Sequence, residues 1–115
     1  MDKYALDGFY YHLRLSARAK EKINDIYGSL ADYNKAINIA KNDADLYFSR
    51  GVFKHNKLRD YQGAIADYTT AISIDPRHHY ALPSRAIAKR NLGLPYRQDY
   101  ERHCNMGFQE SCKEL

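Results

Sequence analysis

Along residues 61–74, the side chains Tyr61, Ala64, Ile65, Tyr68, Ala71 and Ile72 recur at spacings of three and four. That spacing is one face of an α-helix. Asp75 and Pro76 follow, and the residue before a proline is pushed out of helical geometry, so the helix is expected to stop there. Upstream, Leu46, Tyr47, Val52 and Phe53 surround Gly51, a combination that suits a helix approaching another backbone closely. The polar stretch 55–60 separates the two runs. The unit reads as helix, tight turn, helix, proline stop, and nothing in it alternates with the period of a strand.

The pattern returns elsewhere. Ala31, Asp32, Tyr33, Ala36, Ile37 and Ile39 reappear, displaced by 35 residues, as Ala66, Asp67, Tyr68, Ala71, Ile72 and Ile74. At the same displacement Ser49, Arg50 and Lys54 return as Ser84, Arg85 and Lys89. A period of this length marks stacked units, each too small to bury its own apolar face. The chain is therefore expected to be an all-α solenoid forming a single domain over 1–115. Its units would cover 8–41, 44–76 and 78–106, with a capping segment at 108–115. Helices are expected near 8–22, 27–40, 44–57, 61–74, 78–92 and 95–105, followed by a short terminal one.

Tyr47, Gly51, Ala64, Tyr68, Ala71 and Pro76 occupy the places that define the tetratricopeptide repeat (TPR), and the chain resembles that family over nearly its whole length. The middle unit carries one extra residue, placed at Lys57 or a neighbour in its turn. The first unit matches through Ser29, Tyr33 and Ala36, and the third through Arg85, Ala86, Leu92 and Gly93. In the third, His103 and Cys104 stand where Ala and Ile are usual.

The resemblance implies that the first helix of each unit lines a concave groove that binds a protein or peptide. Carried onto this chain, the groove would comprise Tyr10, Leu13, Arg14, Ala17 and Lys20 from the first unit. The second would add Phe48, Ser49, Val52, His55 and Asn56, and the third Tyr80, Ser84, Ile87, Arg90 and Asn91. Aromatics, aliphatics and cations together suit a partner with apolar anchors and acidic character. The family's carboxylate clamp for chaperone tails needs Lys and Asn, then Asn, then Lys and Arg. The corresponding places are Leu13, Ala17, Ser49, Tyr80 and Ser84, so the clamp is not supported. A module for self-association or assembly is the alternative reading, with an RNA-contacting repeat behind it.

Composition narrows this further. The net charge of +4 is spread along the chain, too diffuse to point to nucleic acid. No apolar run approaches the ~18 residues of a membrane span. Charges stand near the N-terminus where a secretory leader needs apolar residues, so a cytoplasmic setting is the default. His78 and His79 are adjacent and cannot chelate together, and they are expected in the exposed connection after Pro76. Asp32, Asp67 and Asp99 are periodic and so belong to the scaffold. There is no phosphate loop, activated nucleophile or metal-ligand spacing, and neither enzyme activity nor a cofactor or metal is expected.

Cys104 and Cys112 allow two readings. Reduced thiols used as small apolar residues suit a cytoplasmic setting. The segment also resembles the junction of Sel-one-like repeats, which implies a bridge between adjacent helices and, with it, a different compartment. In either case Gly107 is expected to turn the chain between the two.

Overall fold

The computed structural model describes residues 3–22 and 25–115. Seven helices and no strand occur among them: α1 (Lys3–Lys22), α2 (Ile26–Ile39), α3 (Ala44–Asn56), α4 (Tyr61–Ile74), α5 (Ala81–Asn91), α6 (Arg97–Asn105) and α7 (Gln109–Cys112). α1 with α2, α3 with α4 and α5 with α6 form three antiparallel hairpins. These stack into an elongated body of 47 × 29 × 19 Å, with α7 packed on α6.

Aspartates cap α2, α3 and α4. Asp25 accepts a hydrogen bond from the Gly28 N–H at 3.0 Å, and Asp60 accepts one from the Gly63 N–H at 2.9 Å. Asp43 does the same for the Leu46 N–H at 3.2 Å. Each satisfies one of the unpaired donors that every helix N-terminus carries. Helix α5 begins later than the expected residue 78 because it is capped differently. His78 donates its N–H to the Asp75 carbonyl, closing a turn, and its Nδ1 accepts from the Ala81 N–H at 3.2 Å. His78 is thus buried rather than exposed, contrary to the sequence expectation.

The buried face of α2 is Ser29, Asp32, Tyr33, Ala36 and Ile37, and that of α4 is Ala64, Asp67, Tyr68, Ala71 and Ile72, the same positions 35 residues on. The core between the first two hairpins joins Leu13, Ala17, Tyr33 and Ala36 to Leu46 and Phe53. Tyr33 and Phe53 meet with ring centroids 5.7 Å apart. Close approach of α3 to α4 depends on Gly51, where a Cβ would lie 2.7 Å from Tyr68 Cε1.

An ion-pair motif repeats with the helices. Arg50 donates to both carboxylate oxygens of Asp67, at 2.9 and 2.7 Å, and Lys54 stands 3.2 Å from the same group. Arg85 and Lys89 treat Asp99 alike, at 2.9, 2.6 and 3.2 Å. In the first hairpin Ser16 replaces the arginine and donates to Asp32 at 2.8 Å, while Lys20 keeps its ion pair at 2.8 Å. These carboxylates are buried, so each needs its charged partner.

The extra residue of the second unit is visible in the turns. The carbonyls of Lys20 and Lys89 accept from residues five further on, Asp25 and Leu94. The Lys54 carbonyl accepts from Asp60, six further on, at 2.9 Å. Arg59, at φ 54°, takes up the difference in the left-handed region.

Candidate functional site: the concave face

Three adjoining cavities run along the side formed by α1, α3 and α5. The first, about 400 Å³, is lined by Arg14 and Arg18 of α1, Asp45, Phe48, Ser49 and Val52 of α3, and Tyr33, His78 and Tyr80. The second, about 150 Å³, lies between Val52, His55 and Asn56 of α3 and Ser84 and Ile87 of α5, with Tyr68 behind them. The third, about 650 Å³, is bounded by His79, Tyr80, Pro83 and Ile87 on one side. Gly107, Phe108 and residues of α7 close its other side, with Tyr100 and His103 also lining it.

Of the residues expected in a groove, Arg14, Phe48, Ser49, Val52, His55, Asn56, Tyr80, Ser84 and Ile87 line these cavities. Phe48 and Val52 are half-buried, and Tyr80 and Ile87 are exposed at 61% and 38%. Tyr33 and Tyr68 are 2% exposed. The others are placed differently. Leu13 and Ala17, at 7% and 0%, are core residues with nothing to offer a partner. The register of α1 accounts for this: Ala17 stands 34 residues before Gly51 and packs, and Arg14 and Arg18 face the cavity instead. Lys20 is bound to Asp32. Tyr10 donates its hydroxyl to Asp43, the cap of α3, and burial followed by this carboxylate pushes its pKa up to about 12. Arg90 lies over the Tyr96 ring at 5.7 Å and 3.8 Å from Glu114, and Asn91 is exposed at the end of α5.

Aromatic rings connect the cavities. Phe48 contacts Tyr68, His78 and Tyr80 at centroid distances of 5.8, 5.0 and 6.1 Å. Tyr80 meets His79 at 4.1 Å, His79 stacks on Phe108 at 5.4 Å, and Phe108 stacks on His103 at 4.2 Å with planes 3° apart. Sequence reasoning gave His78 and His103 no structural role. His78 holds α3 to α5: with Nδ1 accepting, its Nε2 carries the proton and donates to Asp45 at 2.9 Å. His103 Nδ1 lies 2.6 Å from Ser111 Oγ, and burial, then the neighbouring His79, holds its pKa below the ordinary histidine range. The signal for His78 was the lack of a Ser, Thr, Asp or Asn cap just ahead of α5.

Cys104 and Cys112 are joined by a disulfide with Cα atoms 4.8 Å apart, so the reduced reading gives way to the bridged one. Gly107 makes the intervening turn at φ 103°, where a side chain would be strained. Among the described residues no group of three or more His, Cys, Asp or Glu is placed to hold a metal, and no helix is long and apolar enough to cross a membrane.

The sequence matches no family model, and no curated protein matches it. Solved structures do match the fold. The first TPR of Spaghetti (RPAP3), bound to an HSP90 peptide, aligns with a TM-score of 0.78 at 19% identity, covering 92% of this chain and 86% of that one. The fold is that of a tetratricopeptide-repeat domain. The TPR2B domain of yeast Sti1, in a complex with Hsp70, gives 0.74 at 23% identity, over 83% and 77% of the two chains. The TPR domain of Arabidopsis OM64 gives 0.67 at 22%, over 82% and 73%.

Proposed function

We propose that this TPR domain is a protein-interaction module that binds an extended peptide along its concave face. The observation that carries this reading is the first cavity, where Arg14 and Arg18 stand beside the half-buried Phe48 and the exposed Tyr80. Aromatic and arginine side chains in a shared concavity are the usual energetic centres of an interface. An acidic residue of the ligand would meet the arginines, and apolar residues would lie on Phe48, Val52 and Tyr80. Two of the similar TPR domains are described in complexes with HSP90 or Hsp70 components, which supports a peptide as ligand.

The chaperone-tail clamp is not the chemistry proposed. With the register of α1 corrected, its places fall on Arg14, Arg18, Ser49, Tyr80 and Ser84, and only the first has the required cationic character. The disulfide suits an oxidising compartment better than the cytoplasm first expected.

Fluorescence anisotropy with a labelled peptide of alternating Glu and Leu tests the reading. Phe48→Ala, and separately the pair Arg14→Ala and Arg18→Ala, should each weaken binding by about tenfold, the scale of one interface anchor. Affinity unchanged in both variants would sink the proposal. A steep fall in affinity with salt for an RNA oligonucleotide, alongside no peptide binding, would move the function to nucleic acid.

A further inference from the structure

We infer that the end of the concave face between α5 and α7 is a second subsite, which takes an apolar side chain followed by a lysine or arginine, so that the groove fixes the direction of the bound peptide. This rests on the reading of the concave face as a peptide site and adds the chemistry of its other end. The cavity there is the largest of the three along the face, at about 650 Å³. Its exposed apolar surface comes from Ile87 and Tyr80 on one wall and Phe108, 37% exposed, on the other.

That far wall is held in place, not merely adjacent. Phe108 lies between two imidazoles, stacked on His103 at 4.2 Å and on His79 at 5.4 Å. Ser111 of α7 is tied to His103, and Cys112 is bonded to Cys104 of α6. A pre-organised wall spares a ligand the cost of ordering it.

The charge at this end is the reverse of that at α1. Glu110 and Glu114 line the cavity, and no Lys or Arg does. Glu110 forms no ion pair among the described residues, and Glu114 is only 3.8 Å from the half-exposed Arg90. Arg14 and Arg18 line the opposite end of the same face. A peptide acidic at one end and basic at the other, with apolar residues between, therefore fits in one direction and meets like charges in the other.

The test uses ¹⁵N-labelled protein with its disulfide intact and two octapeptides, Glu-Glu-Leu-Tyr-Leu-Leu-Lys-Lys and the same sequence ending Gln-Gln. The lysine peptide should shift the amides of Ile87, Gly107, Phe108 and Glu110 as well as those of Phe48 and Ser49. Replacing Lys-Lys by Gln-Gln should weaken binding about fivefold, the size expected of two partly exposed ion pairs. It should also reduce the shifts around Phe108 alone. The isosteric, surface double variant Glu110→Gln and Glu114→Gln should remove the preference for the lysine peptide. Arg14→Ala with Arg18→Ala should weaken both peptides and leave that preference intact. Equal affinity for the two peptides on the unaltered protein, or shifts confined to Phe48 and Ser49, would overturn the second subsite while leaving the peptide groove. No binding of either peptide would overturn both readings. Shifts at Phe108 on simple dilution would assign the surface to a second copy of the chain and likewise overturn the proposal.

Discussion

Arg50 grips Asp67 through two parallel hydrogen bonds, Nε to Oδ2 at 2.9 Å and Nη2 to Oδ1 at 2.7 Å, and reaches Asn34 of the preceding hairpin with Nη1, also at 2.9 Å. One side chain thus joins α3 to α4 and both to α2. Arg85 repeats the arrangement with Asp99 and, at 3.1 Å, Thr69. Bidentate geometry makes this specific to arginine, because lysine offers a single point charge.

Arg50→Ala should therefore cost about 2–4 kcal/mol, since it strips a buried carboxylate of its main partner and leaves only Lys54. Arg50→Met combined with Asp67→Leu should cost less than the sum of the two single changes. Urea unfolding of the four proteins in a double-mutant cycle measures the coupling.

Gly51 is a matter of space. A methyl group there would fall 2.7 Å from a ring carbon of the buried Tyr68, which has nowhere to retreat. Gly51→Ala should destabilise the middle hairpin by about 1–3 kcal/mol despite its better helix propensity. A rise in thermal midpoint for this variant would show that α3 and α4 can part at little cost.

Two histidines should make stability depend on pH. Burial, then Arg59, lowers the pKa of His55 from its ordinary 6.5, and burial, then His79, lowers that of His103. Between the lowered and ordinary values the unfolded chain holds more protons than the folded one, so stability rises with pH across that interval. It should be fully present above about pH 6.5 and decline as the pH falls through the folded-state values. His55→Gln with His103→Gln should flatten the dependence of the urea midpoint between pH 7 and 5. Asp32 acts at lower pH. Burial opposes its ionisation, but Lys20 and Ser16 outweigh burial and lower its pKa, so its contribution is lost only in the acid range below the ordinary carboxylate value.

The disulfide closes a short loop, worth about 2–3 kcal/mol by chain entropy. Cys112→Ser should raise amide exchange over residues 106–115 and leave the first two hairpins protected, because α7 packs mainly on α6. Equal loosening of α2 and α4 would mean that the array unfolds as one unit.

The second hairpin and α2 were legible because the apolar spacing and buried face of α2 and α4 recur almost unchanged. The third was harder to read. From Asp67 to Asp99 the interval is 32 residues rather than 35, and its late start depends on His78, a residue sequence patterns do not flag as a cap. The groove on α1 was misread by one position because Ser16 stands where the other hairpins have arginine. Ala17 and Lys20, aligned with Gly51 and Lys54, carried the right register. The redox state of the cysteines is not written in their spacing, which fits packed thiols and a bridge alike.

The additional residue between α3 and α4 has a wider consequence. It is absorbed between the Lys54 carbonyl and the Asp60 amide, with Arg59 turned into the left-handed region, and the helices on either side remain in step with their neighbours. That turn acts as a buffer, separating the length of the chain from the geometry of the stack. A reporter group, or several more residues, should be accommodated there with the stack of hairpins undisturbed. The same freedom is absent at Gly51, where a single methyl group is too much.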